Sequence, residues 1–150
     1  MPSSYTNLLY HLVFSTKERR PLITPELSAD LYPYLGGIVR QEGGVLLEVG
    51  GMPDHVHLVA RFRADVAVAD MMRVIKANSS KWVNERAGRT EQFAWQTGYG
   101  AFTVSGSQLA VVRRYVQRQE EHHRKHTFQE EFVAFLKKHG IEYDQRYLWD

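Results

Sequence analysis

Residues 45–62 read VLLEVGGMPDHVHLVARF, two apolar runs of eight residues reversed at Pro53-Asp54. A Pro-Asp pair between two such runs is a turn signal, so this stretch commits the chain to an antiparallel hairpin and hence to a sheet. Strand side chains alternate faces, so His55 and His57 point one way and Val56 the other. Two imidazoles on one strand face admit two readings: a pair of metal ligands, or two half-exposed histidines on a sheet surface.

The flanking segments place that hairpin in a fold. Residues 5–16, YTNLLYHLVFST, are aromatic and branched and read as a buried strand. A helix follows, with Thr24 as N-cap, Pro25 at its first position and Glu26 in its first turn. Pro33 and Gly36-Gly37 predict that this helix is imperfect or broken, and Gly43-Gly44 ends it. A second helix spans 68–88 and stops at Gly88, and QFAWQTGYGAFTVSG reads as a further strand or hairpin. From Ser107 one helix runs to His126, capped by Ser105 or Ser107. A last helix, FQEEFVAFLKKHG, closes at Gly140 before a short aromatic tail. The order strand, helix, strand, strand, helix, strand predicts an α+β fold. It is a ferredoxin-like or RRM-like antiparallel sheet with helices on one face, plus C-terminal helices carrying Tyr115. The other sheet face is then expected to be free for a partner. Residues 1–150 form a single domain in this reading.

Composition excludes several chemistries. There is no cysteine, which removes disulfide scaffolds, thiolate zinc sites and cysteine nucleophiles. A hydrophobic content of 43% argues against disorder. No stretch approaches the roughly 20 apolar residues that cross a bilayer, and the basic cluster near the N-terminus follows its apolar run, the reverse of a secretory signal. The expectation is a cytoplasmic protein with no membrane partner. The net charge of +2 is weak evidence for nucleic acid, but its distribution is uneven. Basic residues gather at Lys17, Arg19 and Arg20, at Arg113, Arg114 and Arg118, and at Arg124 and Lys125. These are either phosphate-binding surfaces or solvated helix faces with paired charges.

Tyr115 and Gln119 are four apart and share a helix face, which continues through His122 or His123 to His126. The guanidinium-rich setting of Arg113, Arg114 and Arg118 is expected to favour the Tyr115 phenolate and to bind phosphate. His55, His57 and Gln119 make a mixed nitrogen and oxygen set suited to Mg²⁺ or Mn²⁺. Together these parts describe attack by Tyr115 on a phosphodiester, giving a covalent phosphotyrosine. Beside the histidines only Asp54 is a candidate water-activating carboxylate, which favours a protein nucleophile over hydrolysis. Each part also has a plainer reading. Tyr115 packs, the His122, His123, His126 group is solvated beside Glu120 and Glu121 rather than a second metal site, and Trp95 and Phe102 fill the core, while Tyr99 and the two core aromatics could instead stack on bases.

HLVFSTKERRPLI, GMPDHVHLVARF, IKANSSKWVN, FAWQTGYGAFTVS and VVRRYVQRQEEHH occur in the order seen in single-tyrosine HUH transposases of bacterial insertion sequences. That group includes the tyrosine transposases associated with repetitive extragenic palindromes, and the chain resembles it from Tyr5 to about Phe135. The resemblance implies that His55, His57 and Gln119 hold a divalent metal, Mg²⁺ or Mn²⁺. It implies that Tyr115 is the nucleophile, joined to the 5′ side of a single-strand break. It further implies an obligate homodimer whose active sites are shared, the tyrosine helix of one chain lying against the histidine strand of the other. The substrate it implies is single-stranded DNA carrying imperfect hairpins, with Lys17, Arg19, Arg20, Lys76, Ser79 and Lys81 in DNA-facing regions. Phosphate contacts of that kind hold the backbone without reading sequence. Three alternatives stand beside it: a domesticated protein that nicks or binds palindromic repeats, a non-catalytic RRM-like nucleic-acid-binding module, and a metal hydrolase using Asp54. The segment from Phe128 onward carries no chemistry in this reading and caps the tyrosine helix or the dimer.

Overall fold

Strands β1 (Leu8–Ser15), β2 (Val45–Met52), β3 (His55–Phe62) and β4 (Gly100–Val104) form one antiparallel sheet in the order β2-β3-β1-β4. They are drawn from a computed structural model that describes residues 3–86 and 88–150. The hairpin has the bounds its sequence predicts, and β1 lies beside β3 with Val13 opposite His57 and Ser15 opposite His55. Both central strands are covered on both faces. Leu12, Phe14, Val56, Leu58, Ala60 and Phe62 point to one side, against helices α1 (Pro25–Gln41) and α2 (Val68–Asn84). Each large side chain buried there contributes about 1.5–3 kcal/mol, which fixes the register, since a one-residue slip would turn the histidines into this core.

Helix α1 begins as its sequence predicts, with Thr24 Oγ1 accepting from the Leu27 amide at 3.2 Å. It is not broken at Pro33 or Gly36-Gly37 but runs through both. Pro33 lies on the exposed side, where the carbonyl it leaves free reaches water, and Leu31, Leu35, Ile38 and Val39 anchor the opposite side against the sheet. Gly43, at φ 83°, ends the turn. Helix α2 stops at Asn84, before Gly88, because the Asn84 side chain both donates to the Phe93 carbonyl (2.9 Å) and accepts from its amide (2.7 Å). Of residues 92–106 only Gly100–Val104 is strand. The preceding loop is gathered by Lys76, whose ammonium donates to the carbonyls of Gln96, Thr97 and Gly98.

The second sheet face is not free. It carries His11, Val13, His57 and Phe102, and the C-terminal helices lie over it. The helix expected from Ser107 to His126 is broken into a 3-10 turn at Gly106–Gln108, α3 (Leu109–Gln117) and α4 (Gln119–His122), with the bend at Arg118 (φ −103°, ψ 26°). Ser105 and Ser107 bond to each other rather than capping it. A Cβ on Gly50 would sit 2.3 Å from the Val116 carbonyl oxygen, so α3 rests directly on the backbone of β2. Helix α5 (Phe128–Lys138) starts at a Thr127–Glu130 capping box and buries Phe128, Phe132 and Leu136 against Val13 and Phe102. No described helix is long and apolar enough to cross a membrane.

Candidate active site

Alternation along β3 turns His55 and His57 onto the second face, and the helices above leave both fully buried. Each ring is held from behind. His55 Nδ1 lies 2.7 Å from Asp54 Oδ1, and His57 Nδ1 lies 2.8 Å from His11 Nε2 on β1. Such partners fix the ring orientation and aim both Nε2 atoms inward. Asp54 therefore orients His55 from the nitrogen remote from the pocket and offers it no base.

The helices close the pocket from above. Gln119 Oε1, on α4, is 3.2 Å from His55 Nε2 and 3.0 Å from His123 Nε2. Glu131, on α5, brings Oε1 to 2.8 Å from His57 Nε2, 3.5 Å from His55 Nε2 and 3.3 Å from His123 Nε2. Its Oε2 accepts a short hydrogen bond from the Tyr115 hydroxyl. One ligand atom from each of His55, His57, His123 and Glu131 lies within 4.8 Å of the others.

The donor set fits a divalent cation. With Nδ1 turned to Asp54 Oδ1, His55 presents Nε2 to the Gln119 amide oxygen at 3.2 Å. Two acceptors face to face repel unless a cation or a proton lies between them. Imidazole nitrogens with amide and carboxylate oxygens suit Mn²⁺ and, less well, Mg²⁺. Burial lowers the His57 pKa to about 4, so its ring is neutral near pH 7, the form that ligates. Burial also works against the charge of Glu131, but hydrogen bonds from His123 and His57 outweigh it and hold the carboxylate ionised.

Tyr115 is not the phenolate its arginine neighbours suggested. Burial, then the Glu131 charge, pushes its pKa well above the ordinary phenol value. Arg113 turns away to Glu48, with Nε 3.2 Å from Oε1. Arg114 and Arg118 are exposed and, with Lys125 and His122, line a cleft of about 410 Å³ that reaches Tyr115.

His55, His57, Tyr115 and Gln119 thus come together, and all within one chain: the tyrosine helix lies against its own histidine strand. Sequence reasoning passes over three members of the site. His11 lies within the strand read at residues 5–16 and carries no role there. His123 reads as solvated, yet its side chain is 7% exposed. Glu131 reads as part of a tail without chemistry, and it is a carboxylate beside the histidines that Asp54 was expected to be alone in supplying.

The other basic residues are dispersed. Lys17 and Arg20 are exposed beyond β1, Arg20 pairing with Glu91 at 3.3 Å, and Arg19 stacks on Trp149 at 5.4 Å. Lys76 and Lys81 ride on α2, on the sheet face opposite the site. Ser79 is buried and accepts from the Trp95 indole at 2.9 Å, and Trp95 and Phe102 are core residues.

A sequence model described as IS200-like transposase matches residues 4–119. The chain is 26% identical over 119 residues to the ISDra2 transposase TnpA of Deinococcus radiodurans, covering 76% of this chain and 85% of that one. It is 28% identical over 121 residues to the transposase for insertion sequence element IS200 of Salmonella typhimurium, covering 77% and 78%. A crystal structure described as a transposase from Deinococcus radiodurans superposes with a TM-score of 0.62 at 25% identity, covering 79% of this chain and 95% of that one. A REP-associated tyrosine transposase bound to a REP hairpin shares the fold, with a TM-score of 0.62 at 13% identity over 82% of this chain and 73% of its own. The family match ends at Gln119, so His123, α5 and Glu131 lie beyond it.

Proposed function

The chain belongs to the IS200-like transposase family, and on that premise we propose that it cleaves and rejoins single-stranded DNA through a covalent Tyr115–DNA intermediate. The family carries DNA cleavage and strand transfer; in this proposal both run through Tyr115. That route is carried by one observation: His55, His57 and Gln119 converge beside Tyr115 although His55 and Gln119 are 64 positions apart in the chain.

His55, His57 and Gln119 would hold a divalent ion, Mg²⁺ or Mn²⁺. Bound there, the ion supplies a Lewis acid for a phosphate oxygen and for the charge on the departing oxygen. The chain's own residues do the rest. Asp54 and His11 keep the two imidazoles aimed, and Arg114, Arg118 and Lys125 draw a phosphodiester into the cleft. The Tyr115 oxygen attacks phosphorus as the bond to the 3′ oxygen breaks. The phenolic proton is released, the leaving oxygen takes up a proton, and the DNA remains attached to Tyr115 through its 5′ phosphate. The phosphodiester energy is retained, so a second 3′ hydroxyl can reverse the step and join strands.

For the substrate we propose DNA hairpins, in keeping with the REP hairpin bound by a protein of the same fold. Lys17, Arg19, Arg20, Arg113, Arg114 and Arg118 belong to the proposal as phosphate contacts on or near the site's side of the sheet. Lys76 and Lys81 would serve only a strand that passes around to α2. The homodimer belongs to it too. A second copy would share its active sites by exchange of the tyrosine helices, or would bring two complete sites together, and sedimentation on DNA measures whether the pair forms.

The test is to incubate labelled hairpin oligonucleotides, taken from palindromes flanking the gene, with the protein and Mn²⁺, and to separate the products under denaturing conditions. A labelled protein–DNA species is expected, absent in Tyr115→Phe and in chelator. Cleavage that survives Tyr115→Phe would overturn the reading in favour of hydrolysis.

A further inference from the structure

We propose that Glu131, on a helix beyond the residues that the family model matches, is itself a metal ligand and tethers Tyr115 to the metal pocket. The inference rests on the reading of His55, His57 and Gln119 as that pocket, and extends it to α5.

The two carboxylate oxygens face different partners. Oε1 is turned to the ring nitrogens of His57, His55 and His123, at 2.8, 3.5 and 3.3 Å. Oε2 accepts from the Tyr115 hydroxyl. A carboxylate sealed from solvent is costly unless its neighbours stabilise its charge, and here it is ringed by imidazole nitrogens at the positions where ligand atoms would converge. Beside the Gln119 amide and the imidazole rings it supplies a negative charge aimed inward. Hard divalent cations bind strongly where an anionic oxygen joins neutral donors, so Glu131 rather than Gln119 would set the affinity. Its second oxygen then keeps the tyrosine oxygen beside the same site.

Glu131 is not free to swing away. Phe128 and Phe132 are buried on either side of it along α5, and Trp149 covers both, with ring centroids 6.2 and 5.9 Å away. The tail continues to Asp150, whose carbonyl accepts from the Gly98 amide at 2.9 Å and from the Gln96 side chain at 3.2 Å. The helix and tail that present the carboxylate are thereby tied to the loop before β4.

The alternative occupant of the same geometry is a plug, a carboxylate that merely fills the place of the metal and of a DNA phosphate. The two make opposite predictions for the full-length protein. Mn²⁺ is titrated by electron paramagnetic resonance into metal-free wild type, Glu131→Gln, Glu131→Asp and Tyr115→Phe, with near-UV circular dichroism as the folding control. As a ligand, Glu131→Gln weakens Mn²⁺ binding by at least about tenfold, Glu131→Asp weakens it less, and Tyr115→Phe leaves it unchanged. Unchanged Mn²⁺ affinity in a folded Glu131→Gln, or faster DNA cleavage by it, overturns the proposal in favour of the plug. Should Glu131→Gln not fold, wild type labelled with ¹³C at glutamate carboxyls decides. A ¹³C coupling to bound Mn²⁺ in electron–nuclear double resonance is expected, and its absence overturns the proposal. Adduct formation by the same wild-type preparation is scored separately, so loss of the tyrosine mechanism and loss of the Glu131 ligand are read from different assays.

Discussion

His11 Nε2 and His57 Nδ1 lie 2.8 Å apart across adjacent strands, and the direction of that hydrogen bond depends on what His57 does at its other nitrogen. An ionised Glu131 can only accept, so in the metal-free chain His57 carries its proton on Nε2 and His11 is the donor. A His57 that ligates through Nε2 must carry its proton on Nδ1 and donate to His11 instead. A neutral imidazole can take either part, which a carboxylate or an ammonium cannot.

Replacing His11 by phenylalanine keeps a ring among Phe102 and Phe135 but removes the partner. Mn²⁺ affinity is expected to fall by about 10–100-fold without loss of any ligand. Calorimetric titration measures it, and an unchanged affinity would show that packing alone orients His57.

Acid should destabilise the metal-free protein well above the carboxylate range. Burial holds His57 at about 4 and, with the neighbouring His57, holds His11 at about 3, both below the 6.5 of an unfolded histidine. The unfolded chain therefore takes up these protons first. Stability is complete above pH 6.5 and is lost as pH falls toward 4, with His57 alone costing about 3 kcal/mol at the lower end. Urea titrations in chelator at pH 7.5, 6 and 4.5 test this, and a flat profile would contradict the buried neutral pair.

Mn²⁺ should raise the thermal midpoint reversibly. At a hundred times its dissociation constant the gain is about 2.7 kcal/mol, removed by chelator, and Mg²⁺ should give less at equal concentration because the pocket is rich in imidazole. Equal shifts for the two ions would mean that the histidines are not the ligands.

Gly50→Ala should loosen the tyrosine helix. Its Cβ meets the Val116 carbonyl at 2.3 Å, between the turns bearing Tyr115 and Gln119, so α3 must lift from β2 at a cost of roughly 1–3 kcal/mol. Gly37→Ala is the control: nothing lies within 4 Å and the site is helical, so stability holds or improves. Thermal melts and adduct yield on hairpin DNA should fall together for the first and for neither measure in the second.

Much of the fold is legible in local signals. The period of two in 55–62, the Pro53-Asp54 turn and the Thr24-Pro25 cap each act within a few residues, so β2, β3 and the start of α1 can be read from the chain directly. Local rules mislead where a tertiary surface opposes them. Pro33 would break an isolated helix but is carried by the buried side of α1, and residues 107–126 read as one helix but bend at Arg118, where Gln119 turns into the pocket.

The sequence by itself determined the antiparallel sheet, the shared direction of His55 and His57, and the pairing of Tyr115 with Gln119 one helical turn apart. Only the tertiary structure decided that both histidines are sealed under α5, that Tyr115 is a neutral donor, and that His11, His123 and Glu131 belong to the site. The reason is distance along the chain. Glu131 is 74 residues from His57, and no periodicity or spacing relates two side chains that meet only because α5 buries Phe128, Phe132 and Leu136 on the open face of the sheet. Whether a carboxylate is solvated or sits in a ring of imidazoles depends on that burial, and burial is a property of the packed molecule.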